Sequence, residues 1–139
     1  MPNTKLIAAA LLGAAAGSRT FTPGAALAAR GRLAVDPQIR TAILVAAAGE
    51  LIGDKLPFVP SRTRPLPYLG RIGSGALCGR VVAGDSGALT GAAAGAAATL
   101  IGHRARRAAS TRLPAVLAAL IEDALAIGAA NLAVTLAGD

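Results

Sequence analysis

Long apolar runs broken by single charges or prolines set the pattern of this chain, and its acidic residues lie inside those runs. Glu50 falls within T-A-I-L-V-A-A-A-G-E-L-I-G-D-K-L, and Glu122 with Asp123 within L-P-A-V-L-A-A-L-I-E-D-A-L-A-I-G-A-A-N-L-A-V. Arg19 interrupts a third stretch, L-I-A-A-A-L-L-G-A-A-A-G-S-R-T-F. At 1.5 Å rise per residue, such runs predict helices long enough to traverse a bilayer. The expected spans are Lys5 to Ala29, Pro37 to Pro57, Leu69 to Gly84, Ala88 to Gly102 and Pro114 to Ala137. Pro23 with Gly24 predicts a break in the first helix, and Pro37 suits a first helical turn.

The third and fourth spans are short and glycine-rich, so a tight hairpin is an alternative to two crossings. Between them V-V-A-G-D-S-G supplies a turn, with Asp85 and Ser86 as N-cap candidates. Four prolines in P-F-V-P-S-R-T-R-P-L-P-Y exclude one continuous helix there and predict an interfacial loop. The expected architecture is therefore an all-α integral membrane protein, a single domain over 1–139 with four to five transmembrane helices.

Composition strengthens this expectation. Hydrophobic residues make up 54% of the 139 and charged residues 15%, against about 25% charged in ordinary soluble domains. Ala and Gly dominate, and the aromatics are Phe21, Phe58 and Tyr68 alone. A soluble core of Ala buries little area per residue, whereas small residues let helices approach closely in lipid. Gly13/Gly17, Gly49/Gly53, Gly75/Gly79 and Gly87/Gly91/Gly95 repeat at intervals of four and predict close-packing faces, within one chain or across a homodimer.

The net charge of +7 raises nucleic acid as a partner, but the basic residues fall between apolar runs with no aromatic platform beside them. Their distribution reads better as a topology signal. Five spans place Lys5, Lys55, Arg62, Arg64, Arg71, Arg104, Arg106, Arg107 and Arg112 on one side and Arg30, Arg32, Arg40 and Arg80 on the other. This predicts a multi-pass protein of the bacterial inner membrane with a cytoplasmic N-terminus. The opening M-P-N-T-K-L-I-A-A-A-L-L-G resembles a secretory signal, although the apolar pattern continues past Arg19, which argues against cleavage.

Candidate chemistry lies with the charges inside the runs. Glu50 and Asp54 share a helix face, where like charges require a proton or a cation nearby. Lys55 is placed to serve Asp54, and Arg19 is the natural partner for Glu50. Glu122 and Asp123 lie ~100° apart around their helix, so they face different neighbours. One of them pairing with Arg19 would leave the other to titrate or to meet a ligand. Ser18, Thr20 and Thr22 either donate to that ligand or satisfy carbonyls freed near Pro23. The candidate binding residues are thus Arg19, Thr22, Glu50, Asp54, Glu122 and Asp123, with a structural ion network as the alternative. Asn131 reads as interhelical glue, and His103 beside Arg104, Arg106 and Arg107 as a headgroup or loop contact.

Leu51-Ile52-Gly53-Asp54-Lys55-Leu56 and Leu120-Ile121-Glu122-Asp123-Ala124-Leu125 share L-I-x-D-x-L, which would fit an inverted repeat. No H-E-x-x-H, G-x-S-x-G or phosphate-cradling loop occurs, nothing calls for a cofactor or metal, and Cys78 is alone. These features favour a transporter or channel for an ion or small polar solute over an enzyme. The alternative is a membrane scaffold or assembly factor whose buried charges are structural.

Three stretches resemble an uncharacterised bacterial membrane family, domain of unknown function 4126. They are G-S-R-T-F-T-P-G-A-A-L (17–27), G-E-L-I-G-D-K-L-P with P-S-R-T-R-P-L-P-Y-L-G-R-I-G-S-G-A-L-C-G (49–79), and I-E-D-A-L-A-I-G (121–128). The resemblance implies an integral membrane protein and places Arg19, Thr22, Pro23, Glu50, Asp54, Lys55, Glu122 and Asp123 in family motifs. It implies no activity.

Overall fold

A chain reversal only three residues long organises the molecule. The computed structural model describes residues 2–53 and 64–138, and its regular elements are helices. In chain order these are α1 (Pro2–Ser18), α2 (Thr22–Ala29), α3 (Pro37–Gly53), α4 (Pro65–Ala109) and α5 (Ala115–Gly138). After α1, the chain turns at 19–21 and α2 doubles back beside it. Leu27 of α2 joins Ala8 and Leu12 of α1 and Val134 of α5 in one cluster. Pro23 lies in the first turn of α2, where its fixed φ suits helix entry and its missing N–H costs nothing. The break is therefore at 19–21, upstream of the expected Pro23.

α3 returns along α2, with Ile43 against Gly24 and Glu50 against the reversal. α4 is two helices, 65–82 and 85–109, folded into a hairpin at Ala83 (φ −142°) and Gly84 (φ +63°). The positive φ is one that glycine adopts without steric cost. Arg80 and Asp85 pair across this corner at 3.2 Å, but both are exposed and the pair adds little. Pro65, Leu66, Pro67 and Tyr68, expected in a loop, open α4 instead, because Pro is tolerated in a first helical turn. Residues 57–63 of the expected loop lie outside the described part.

The two arms of α4 and α1 meet backbone to backbone. A Cβ on Gly91 would collide with the carbonyl oxygen of Gly75, and one on Gly13 or Gly75 with the carbonyl oxygen of Gly91. One turn along, Gly79 and Gly87 face each other in the same way. On the other side, a Cβ on Gly17 would meet the Gly95 carbonyl oxygen at 2.7 Å. The glycines at intervals of four thus form one three-helix seam. Gly49 and Gly53 do not take part and face open space.

The distribution of side-chain sizes follows from the seam. Helices this close leave room for little beyond Ala inside, and Ala8, Ala9, Ala16, Ala28, Ala130 and Ala133 are fully buried. Large apolar side chains are turned outward instead, with Leu66 82% and Leu89 75% exposed.

The architecture corrects the expectation of four to five membrane crossings. Among the described residues only α5 is long and apolar enough to cross. The expected first span is split into helices of 17 and 8 residues. At 17 residues, α1 and the described part of α3 reach about 25 Å, short of a ~30 Å hydrocarbon core. Gly, Ser and Arg dilute both arms of α4. In α5, 22% of the most apolar window is buried, so it is not the enclosed core helix of a globular domain. The multi-pass topology, and the side assignment built on it, gives way to one candidate crossing at the C-terminal helix. The first copy of the L-I-x-D-x-L pattern runs beyond Gly53, so the expected inverted repeat lies partly outside the described residues.

The seam predicts a sharp contrast between glycines. Gly91→Ala should cost about 3 kcal/mol, as overpacking against immovable backbone does. Gly102→Ala, where a Cβ meets nothing within 4 Å, should be neutral or gain about 0.5–1 kcal/mol of helix propensity. Denaturant unfolding of the detergent-solubilised variants checks this.

Cys78 adds a chemical probe of the same interior. Burial pushes its thiol up to about 11, a shift that the Ser74 hydrogen bond partly opposes. The thiolate is the reactive form, so Cys78 should resist maleimide at pH 7–8 in the folded protein and label rapidly once denatured.

Candidate functional site: a charged centre at the reversal

Reversing a helix inside an apolar interior strands backbone groups on both sides of the break, and each needs a partner. The carbonyls at the end of α1 are served by α4. Arg71, itself buried, donates from Nη1 to Gly17 O at 2.6 Å and to Ser18 O at 3.0 Å. Thr99 Oγ1 lies 3.2 Å from Gly17 O and 2.8 Å from Gly95 O, and Ser74 Oγ donates to Thr20 O at 2.5 Å. The N–H groups entering α2 are served by α3. Thr20 N–H donates to Glu50 Oε1 at 2.6 Å and Phe21 N–H to Glu50 Oε2 at 2.8 Å.

The signs of these charges match the helix ends they serve. Cationic Arg71 sits at the C-terminus of α1, where the helix dipole is negative, and anionic Glu50 at the N-terminus of α2, where it is positive. Phe21, the N-cap residue of α2, makes no side-chain cap of its own, so a carboxylate from another helix performs that task.

Arg19 occupies the centre of the reversal and is fully buried. Its Nη2 pairs with Asp123 Oδ1 of α5, and its Nη1 lies 3.4 Å from the Glu50 carbonyl oxygen at the end of α3. One guanidinium therefore ties α3 and α5 to the α1–α2 turn.

Of the residues singled out in the sequence, Arg19, Glu50 and Asp123 come together here. Thr22 is buried at the start of α2, beside them. Asp54, with Lys55, lies outside the described residues. Glu122 diverges from Asp123, as adjacent helical positions must, and pairs with Arg106 of α4 at 2.9 Å. The arrangement is one in which Asp123 takes Arg19 and Glu122 takes a different arginine.

Arg71, Ser74, Thr99 and Arg106 were not anticipated. A signal for two of them exists in the glycine spacing. Arg71 extends the series Gly75–Gly79 by one step, and Thr99 extends Gly87–Gly91–Gly95. Residues in register with a packing face must point into it. Arg32 performs a parallel task elsewhere, donating to Ala137 O at 2.8 Å and closing the C-terminus of α5.

Beside this centre runs an open groove of about 550 Å³ between the returning arm of α4 and α5, floored by α1. Its walls are Ala, Leu and Ile with Gly102, and the Arg106–Glu122 pair lies on them. The groove exists because α4 touches α5 only sparsely, while α1 packs against both.

Comparison with protein-family models, with curated proteins and with solved structures gives no match. Function is accordingly read from the geometry.

Removing one member of the buried pair should be far more harmful than removing both. Asp123→Leu or Arg19→Met alone is expected to cost about 3–5 kcal/mol, and the double variant much less than their sum. Glu50→Ala, which uncaps α2, should cost about 1–2 kcal/mol. A double-mutant cycle of unfolding free energies measures these terms.

Proposed function

We propose that the protein is a membrane-attached helical scaffold or assembly factor whose buried charges hold its shape. The observation that carries this reading is the use to which the inner charges are put. Glu50 caps α2, Arg71 closes α1, and Arg19 with Asp123 joins three helices. Each anionic or cationic group at the centre is engaged with backbone or with an opposite charge. A site that binds and releases a solute needs groups whose partners change during the cycle, and here each of these groups has a partner within the chain.

Two further features support attachment to a membrane and assembly there. α5 is long and apolar enough to cross and keeps most of its surface outward. Leu77, Val81, Leu89, Leu100 and Ile101 stand exposed on α4, where a free monomer in water would rarely display so many. Lipid or a partner helix would cover them.

Vesicles reconstituted with the full chain test this reading. Flux of H⁺, Na⁺, K⁺ and Cl⁻ should equal that of empty vesicles. A flux above that background that Asp123→Asn or Glu122→Gln abolishes would replace the scaffold with a conduction role.

A further inference from the structure

We propose that the groove between the returning arm of α4 and α5 is a binding site for one acyl chain of an anionic phospholipid, with the headgroup at the α4–α5 turn. The inference rests on the membrane attachment proposed above and adds a ligand to it. The groove has the volume of a small-molecule site, about 550 Å³ within the usual 300–1,000 Å³. Its α5 wall runs from Ala118 to Ala129, about 16 Å of helix at 1.5 Å per residue, so the space is elongated along the helix axis.

The two ends of the groove differ. Toward Ala98 and Ala129 the walls are small and apolar. Toward the α4–α5 turn, Arg106 lies on the wall and exposed Arg112 adjoins the lining residue Leu113, while Arg104 and Arg107 are exposed on other faces of the same end of α4. A ligand complementary to this gradient is apolar along its length and anionic at one end. Among the described residues Glu122 is the one acidic group on the walls, and it is paired with Arg106, which leaves the end of α4 net positive. A zwitterionic or neutral amphiphile lacks the charge match, and a free anion lacks the chain.

Gly102 gives the means to test this without disturbing the seam. It lines the groove, and a Cβ there meets nothing within 4 Å. A Phe at this position would occupy the space meant for the chain. Gly128 on α5 is equally open but does not line the groove, so Gly128→Phe is the matched control.

The full chain in neutral detergent, stripped of lipid, would be titrated with phosphatidylglycerol or phosphatidylcholine of identical acyl chains, and bound lipid counted by native mass spectrometry. One phosphatidylglycerol per chain is expected, with phosphatidylcholine at least about tenfold weaker. Gly102→Phe should weaken retention about tenfold, and Gly128→Phe should leave it unchanged. Arg104→Gln, Arg107→Gln and Arg112→Gln together should remove the preference for phosphatidylglycerol, and this variant decides the matter if Gly102→Phe does not fold. Equal binding of both lipids, wild-type retention by folded Gly102→Phe, or displacement by inorganic phosphate alone would each overturn the proposal. Vesicle flux is unaffected by any of these outcomes, so failure here and failure of the scaffold reading are separable.

Discussion

Satisfying the backbone at 19–21 is the constraint on which the rest of the structure depends. A helix that stops and reverses in apolar surroundings exposes carbonyls on one side and N–H groups on the other. Where protein shields them from water, each left unpaired costs on the order of a hydrogen bond or more. The protein meets this with side chains from α3 and α4, and with one guanidinium that reaches α5. Arg19, Glu50 and Asp123, charges inside the apolar runs, are each engaged at this reversal.

The glycine seam makes this possible. Arg71, Ser74 and Thr99 reach the end of α1 because Gly13, Gly75 and Gly91 let three backbones touch. Larger residues at those positions would move α4 outward and carry its donors away from Gly17, Ser18 and Thr20. Close packing and polar satisfaction are therefore one requirement. The same closeness favours small side chains along the seam, which is why the core is mostly Ala, with Leu12 and Leu27 among the few large side chains inside, and most Leu and Ile lie on the surface.

Much of this could be read from the chain, and some could not. The helical character, the existence of a break in the first apolar run and the packing role of most spaced glycines follow from periodicity and composition, whereas the break lies at 19–21 and not at Pro23. That Arg19 needs an acid follows from the cost of leaving a guanidinium alone in an apolar setting. The natural partner by sequence is Glu50, but its carboxylate serves Thr20 and Phe21 while Asp123 takes the guanidinium. Hydropathy overstated the number of membrane crossings, because an Ala-rich run scores as apolar whether it faces lipid or another helix. It also treated residues 5–29 as one span, whereas Arg19–Phe21 reverses the chain and leaves two pieces too short to cross. Glu50 was legible as a buried acid but not as a cap, since nothing local marks a carboxylate that serves a helix in another part of the chain. Arg71 was hidden among basic residues that read as topology signals, although its register with Gly75 and Gly79 pointed inward.

The Arg19–Asp123 link joins residues 104 positions apart. During synthesis at about 5–20 residues per second, the arginine emerges some 5–20 s before the aspartate exists. Over that interval the cation has to stay hydrated or borrow a temporary counterion. Glu50 and Arg71 can hold the backbone of the turn before α5 arrives, so the guanidinium gains its anion late and the pairing of residue 19 with residue 123 is a closing step of maturation.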